Sequence, residues 1–286
     1  MKTSGFERLG SKSMSETEGR AEDAAGVGRT PATPWVFASP HSGADLPSDM
    51  RPAAGLSRRS LRSAEDALVD RLIEGAEARG AALLRGTVSR AYLDLNRDPA
   101  ELDPLLVEGM DEGPVSPRAA AGYGIVPRLT GDGRPLYARR LSQVEVEARI
   151  AAHHAPYHAK LATLMDTARA AHGRGFLIDW HSMPAARGRD APQVVIGDRH
   201  GETCSPALTR RLQTLFEAEG WRVALNVPYA GGWSTIRWGR PAEKFEAVQI
   251  ELDRGLYLDA ATLRPGLGWD RCKAGVERVI AALLAG

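Results

Sequence analysis

Residues 175–184, GFLIDWHSMP, constrain this chain more than any other stretch. Phe176, Leu177, Ile178, Trp180 and Met183 surround a single Asp and a single His. An apolar run of that length bounded by Gly and Pro reads as a buried strand. Asp179 and His181 lie two residues apart, so on a strand both side chains leave the same face. His181 falls where the strand ends, and open α/β sheets place ligands at the C-terminal ends of their strands. Taken alone, the pair reads as well as a core histidine tied to a carboxylate as it does as a metal ligand or base.

Other apolar runs stop at chemically useful residues. Residues 35–39 (WVFAS) run into Pro40, His41, Ser42 and Gly43, where a small residue and a glycine let backbone come close to a ligand. A surface-turn histidine is the plain alternative. Residues 81–85 (AALLR) and 91–95 (AYLDL) read as two strands or a hairpin, the second leading into Asn96 and Arg97. A guanidinium beside an amide suits a substrate carboxylate; an Arg97 paired with Asp94 or Asp98 is the plain alternative. Residues 193–197 (QVVIG), 221–226 and 247–251 (AVQIE) are further strands, the last ending at Glu251.

Helical spacing of Leu68, Val69, Leu72, Ile73 and Ala76 predicts one helix over residues 62–79, with Ser63 and Asp66 resembling its start. Asp66 sits at the edge of that stripe, where a buried carboxylate needs a cation or metal partner; a carboxylate favoured by the helix dipole is the alternative. Residues 142–171 read as a helix broken or kinked at Pro156. His154 and His158 on it have an i, i+4 spacing, but they lack the glutamate of a metal-binding helix motif, so they and His153 read as solvated or structural. Residues 205–220 and 273–284 are helices as well. Residues 99–135, with six glycines and six prolines, form a long irregular segment, and residues 226–237 form a loop rich in glycine and aromatics that ends at Arg237.

Strands and helices alternate over residues 34–286 without repeats. This predicts a single α/β domain with a mixed, mostly parallel sheet and helices on both faces. Residues 1–33 carry few large apolar side chains and are expected to be a disordered extension. Net charge is +1, from 37 basic and 36 acidic residues, so nothing points to nucleic acid or an anionic membrane surface. No apolar run approaches the roughly 20 residues of a membrane span. The start has no secretory h-region, and two distant cysteines, Cys204 and Cys272, suit a reducing compartment. A cytoplasmic location is expected, and no protein partner is implied.

His41, Asn96 with Arg97, His181 and Glu251 thus each stand where an apolar run stops. Two histidines and a helical carboxylate form the ligand class of catalytic zinc. A further glutamate could move the proton of a water, and the arginine could hold an anionic substrate.

Asp94-Leu95-Asn96-Arg97, Ile178-Asp179-Trp180-His181-Ser182 and Ile250-Glu251-Leu252-Asp253-Arg254 resemble motifs of the zinc metallocarboxypeptidases, in that family's chain order. The first motif departs from the pattern, since those enzymes carry His-x-x-Glu and His41 is followed by Ser, Gly and Ala. The sequence is more similar to the N-formylglutamate amidohydrolase family, through Pro40-His41-Ser42-Gly43, residues 65–70 (EDALVD), residues 94–99 (DLNRDP), Pro156-Tyr157-His158, His181-Ser182-Met183-Pro184 and residues 226–232 (NVPYAGG). That resemblance implies a carboxypeptidase-like fold. It also implies hydrolysis of N-formylglutamate to formate and glutamate, at the end of a histidine-degradation route. His41, His181 and Asp66 would hold one zinc ion, with Glu65 as the alternative to Asp66. Glu251 would be the general base, Arg97 with Asn96 the carboxylate clamp, Arg237 the group for a second carboxylate, and Tyr229 a donor to the carbonyl oxygen. Other N-acyl amino acids, a peptide C-terminus, or a non-catalytic relative that only binds ligand are the competing readings.

Overall fold

Six strands build the sheet: β1 (Trp35–Ser39), β2 (Ala82–Arg85), β3 (Gly175–Met183), β4 (Val194–Gly197), β5 (Val223–Leu225) and β6 (Phe245–Asp253). The computed structural model of the chain describes residues 32–110, 113–185 and 188–285. The extension expected over residues 1–33 lies, up to residue 31, outside the described residues.

The spatial order is β2-β1-β3-β6-β4-β5. β2, β1, β3 and β6 run parallel, and β4 turns antiparallel to β6 with β5 parallel beside it. This is the mixed, mostly parallel sheet expected. Alternation along β3 explains its central position. Leu177 packs on one face with Val36, Ala82 and Ala247 beneath the helix Ala155–His172, which contributes Tyr157, Leu161 and Met165. Ile178 and Trp180 pack on the other face with Phe37, Val248 and Ile250, under the helices Pro206–Ala218 and Trp269–Leu284. Two apolar layers over one sheet make a single domain with helices on both faces.

The register then fixes the site. Leu177 pairs with Ala247, Asp179 with Gln249 and His181 with Glu251. One face therefore passes from apolar core to four polar side chains over five residues of each strand. His181 and Glu251 each lie two residues inside their strands' ends.

Three expectations about elements need correction. Residues 91–95 form no strand. The Tyr92 and Leu93 amides donate to the Ser89 carbonyl and the Asp94 amide to that of Ile125, so the apolar side chains are buried on a turn. The helix expected over 62–79 is reduced to two short pieces, Val69–Leu72 and Gly75–Ala78, with another, Arg58–Leu61, just before it. Its interruption has a local cause: the Asp66 amide donates to the His41 carbonyl, and Leu68 takes a left-handed φ of 67°. The loop over 226–237 also contains a short helix, Trp233–Trp238. The break at Pro156 takes the form of a π-helical turn, Ile150–His154, between Gln143–Arg149 and Ala155–His172.

Candidate active site

The chain leaving β1 delivers His41, and close packing holds it there. A Cβ on Gly43 would lie 2.3 Å from the Thr87 carbonyl, so only glycine allows this approach. Ser42 Oγ donates to the Asp66 carbonyl (3.1 Å) and accepts from the Asp70 amide (3.1 Å), tying the turn after β1 to the irregular segment that carries Asp66.

Asp66, His41 and His181 converge. His181 Nδ1 lies 3.1 Å from His41 Nδ1 and 2.9 Å from Asp66 Oδ2, and His41 Nδ1 lies 3.3 Å from that same oxygen. Each outer ring nitrogen has its own carboxylate: His41 Nε2 donates to Asp94 Oδ1 (2.6 Å) and His181 Nε2 to Asp179 Oδ2 (3.0 Å). With both Nε2 atoms acting as donors, the Nδ1 atoms face each other as lone pairs and require a proton or a cation between them. Ligands about 2.0–2.1 Å from a tetrahedral zinc ion lie about 3.3 Å apart. The donor set and its spacing therefore fit a divalent metal ion, and carboxylates behind the histidines are the usual support for one.

Charge is balanced around this centre. Burial would raise Asp66, but the adjoining His181 and His41 rings hold it well below the ordinary carboxylate range. Its other oxygen accepts from Arg254 Nη2 (3.0 Å) and Ser182 Oγ (3.2 Å). Burial pushes His181 down, yet Asp179 and Asp66 outweigh it and raise it well above the usual histidine value. Asp94 is kept ionised against burial by Arg90, His41 and Arg97. Glu251 is different. Burial pushes it up to about 7, with His181 pulling it down and Asp66 pushing it further up. Gln249 Nε2 donates to Glu251 Oε1 (2.8 Å), while the Gln249 oxygen accepts from the Gly232 amide (2.7 Å).

These groups line a cavity of about 410 Å³ at the C-terminal ends of β1, β3 and β6, closed on one side by the segment that carries Arg118, Tyr123 and Thr130. Arg97 gives one nitrogen to Asp94 (3.1 Å), the pairing that its sequence neighbours left open, but its Nε and Nη1 are buried without a partner. Tyr229 also faces the cavity; burial and the nearby Glu251 carboxylate raise its phenol, so it stays protonated.

Three expected assignments fall differently. Asn96, expected as part of the clamp, donates to Asp179 (2.8 Å), lies 2.9 Å from His181 Nε2 and accepts from the Ser234 amide (2.7 Å), so it braces the carboxylate behind His181. Glu65 turns away from the triad toward Ser89 (2.9 Å) and Arg62 (2.7 Å). Arg237 is exposed on a separate groove beside His154 and His158, because the helix Trp233–Trp238 points it away from the cavity. His154 and His158 are buried and structural: they bond the Arg97 and Leu95 carbonyls (3.0 and 2.8 Å) and brace the turn between them.

Sequence reasoning missed Arg254, Arg90, Gln249 and Arg118. The alternation that pairs Asp179 with His181 also pairs Gln249 with Glu251 and could have found it. Arg90 and Arg118 sit in irregular segments with no period to read.

A cavity with convergent polar groups at the strand ends of an α/β sheet is where such folds place an active site. Residues 33–258 match the family described as N-formylglutamate amidohydrolase, and the chain belongs to that family. It is 31% identical to an N-formylglutamate deformylase of Pseudomonas aeruginosa over 233 residues, covering 79% of this chain and 82% of that one. A deformylase of the same name from Pseudomonas putida is 30% identical over the same shares. The crystal structure of an N-formylglutamate amidohydrolase from Ralstonia eutropha JMP134 superposes with a TM-score of 0.83 at 31% identity, covering 91% of this chain and 96% of that one.

Exchange of Asp179 for Asn tests the support behind His181. Removing that charge is expected to weaken metal binding by about 10- to 100-fold, read by competition with a chromophoric chelator. An unchanged affinity would show that Asp179 serves packing alone.

Proposed function

We propose that the protein hydrolyses the amide of N-formylglutamate to formate and glutamate, using one divalent metal ion, zinc first. The observation that carries this reading is a single buried cavity joining three metal-type donors, a separate glutamate and an arginine with unmatched donors. Membership of the family and the names of its relatives support the choice of substrate.

His41 Nδ1, His181 Nδ1 and Asp66 Oδ2 would hold the ion, which supplies Lewis acidity to the formyl carbonyl and acidifies water. Asp94 and Asp179 keep both rings in the tautomer that turns Nδ1 inward. Glu251, with Oε1 held by Gln249, takes a proton from the attacking water on Oε2 and returns it to the amine nitrogen as the C–N bond breaks. Its raised value, about 7, suits both transfers near neutral pH. Arg97, whose guanidinium lines the cavity and keeps unmatched donors, takes a substrate carboxylate, and the protonated Tyr229 phenol donates to the formyl oxygen. No helix among the described residues is long and apolar enough to cross a membrane, and Cys204 and Cys272 are buried free thiols.

Formate release from N-formylglutamate, followed together with elemental analysis, tests the reading. About one metal ion per chain is expected, with activity lost on chelation and restored by zinc. Full turnover by metal-free protein would sink it.

A further inference from the structure

Four guanidinium groups, those of Arg90, Arg97, Arg118 and Arg254, line the cavity. Arg254 is committed to Asp66, Ser182 and the Ser63 carbonyl. Arg90 is paired with Asp94 (3.1 Å). Arg97 keeps two buried donors unmatched. Arg118, among the described residues, makes no side-chain hydrogen bond and no close ion pair. Glu101 attracts it through space, but one Glu101 oxygen is already taken by Ser116 Oγ (2.6 Å).

We propose that Arg97 and Arg118 together read a dicarboxylate: Arg97 takes one carboxylate of an N-acylated acidic amino acid and Arg118 the other, so Arg118 selects the acidic side chain over a neutral one. The choice of ligand rests on the hydrolase reading above.

The backbone holds Arg118 in place for this. Its short helix, Pro117–Ala120, is capped by Ser116, whose Oγ accepts from the Ala119 amide (3.2 Å). The same segment is tied to the Arg97 turn, since the Asp94 amide donates to the Ile125 carbonyl (2.8 Å). Both guanidiniums line the same cavity. Arg118 is exposed as a residue, yet partial desolvation and the like charge of Arg97 lower it from the ordinary arginine value. A second anionic group between them relieves that repulsion, and a neutral amide does not.

Arg118→Gln is expected to raise KM for N-formylglutamate by about 10- to 100-fold, the range for losing one charge-assisted contact. It should change kcat/KM for N-formylglutamine by less than about threefold, and Arg118→Lys should recover most of the preference. Equal losses on both substrates, or none on either, would overturn the assignment. Calorimetric binding of both compounds to Glu251→Gln, with and without Arg118→Gln, reads the preference without turnover. If wild-type protein binds N-formylglutamate through Arg118 yet never releases formate, the dicarboxylate assignment stands and the hydrolase reading fails. If Glu251→Gln binds the two compounds equally, the assignment fails whatever the activity.

Discussion

Glu251→Gln is expected to lower kcat on N-formylglutamate by about 10²- to 10⁴-fold, the usual contribution of a positioned general base, while KM and metal content stay near wild type. The substitution preserves shape. The glutamine oxygen can still accept from Gln249 Nε2, which now holds Glu251 Oε1 at 2.8 Å, so the cavity wall is not disturbed. What disappears is a carboxylate that burial has pushed up to about 7, a value that lets it take a proton from water and then release it to nitrogen. Removing a buried negative charge that faces Asp66 should not destabilise the fold, and thermal unfolding should occur at or above the wild-type temperature. Steady-state kinetics with N-formylglutamate and a melting curve check both halves. If the variant keeps more than about a tenth of wild-type kcat, proton transfer belongs to another group, and the placement of Glu251 beside His181 is structural.

How much of this site the sequence carries depends on where each residue lies. His181 and Glu251 were legible because strands have a period of two and apolar runs mark their extent. Their pairing across β3 and β6 was not, since it is set by sheet order rather than by any local signal. His41 was legible as a residue following an apolar run. Asp66 was picked from the edge of a helical stripe, yet it reaches the histidines because that helix does not form: the His41 carbonyl captures its amide, and Leu68 takes a left-handed turn. Local periodicity describes propensity, and here a tertiary contact overrides it. Arg237 shows the opposite failure. A glycine- and aromatic-rich loop does line the cavity through Tyr229 and its neighbours, but the short helix Trp233–Trp238 decides which way Arg237 points. Arg118 lies in the irregular segment after residue 99, where neither period nor motif says which wall of which cavity a side chain will reach.

Asp66→Ala is expected to have the other large effect, removing a metal-type donor and the charge opposite Arg254 at once. Metal affinity should fall by well over the about 100-fold that losing a flanking carboxylate brings, and formate release should fall with it at ordinary zinc concentrations. Stability should fall as well. Asp66 is about 1% exposed and its Oδ1 accepts from Arg254 Nη2 at 3.0 Å, so its loss leaves a poorly hydrated guanidinium without a counter-charge. Breaking such a pair costs about 3–5 kcal/mol when both groups are fully buried. Arg254 keeps its bonds to Ser182 and to the Ser63 carbonyl, and its side chain is 17% exposed, so the lower end of that range is expected. Asp66→Asn separates the two roles: its oxygen can still accept from Arg254, so it should unfold nearer to wild type while binding metal poorly. Glu65→Gln is the control, because Glu65 points to Ser89 and Arg62 and its loss should leave metal stoichiometry intact. Denaturant titration and metal analysis of the three variants give distinct patterns. Full metal occupancy in Asp66→Ala, together with loss in Glu65→Gln, would move the third ligand one residue back along the chain and require this segment to rearrange when the ion binds.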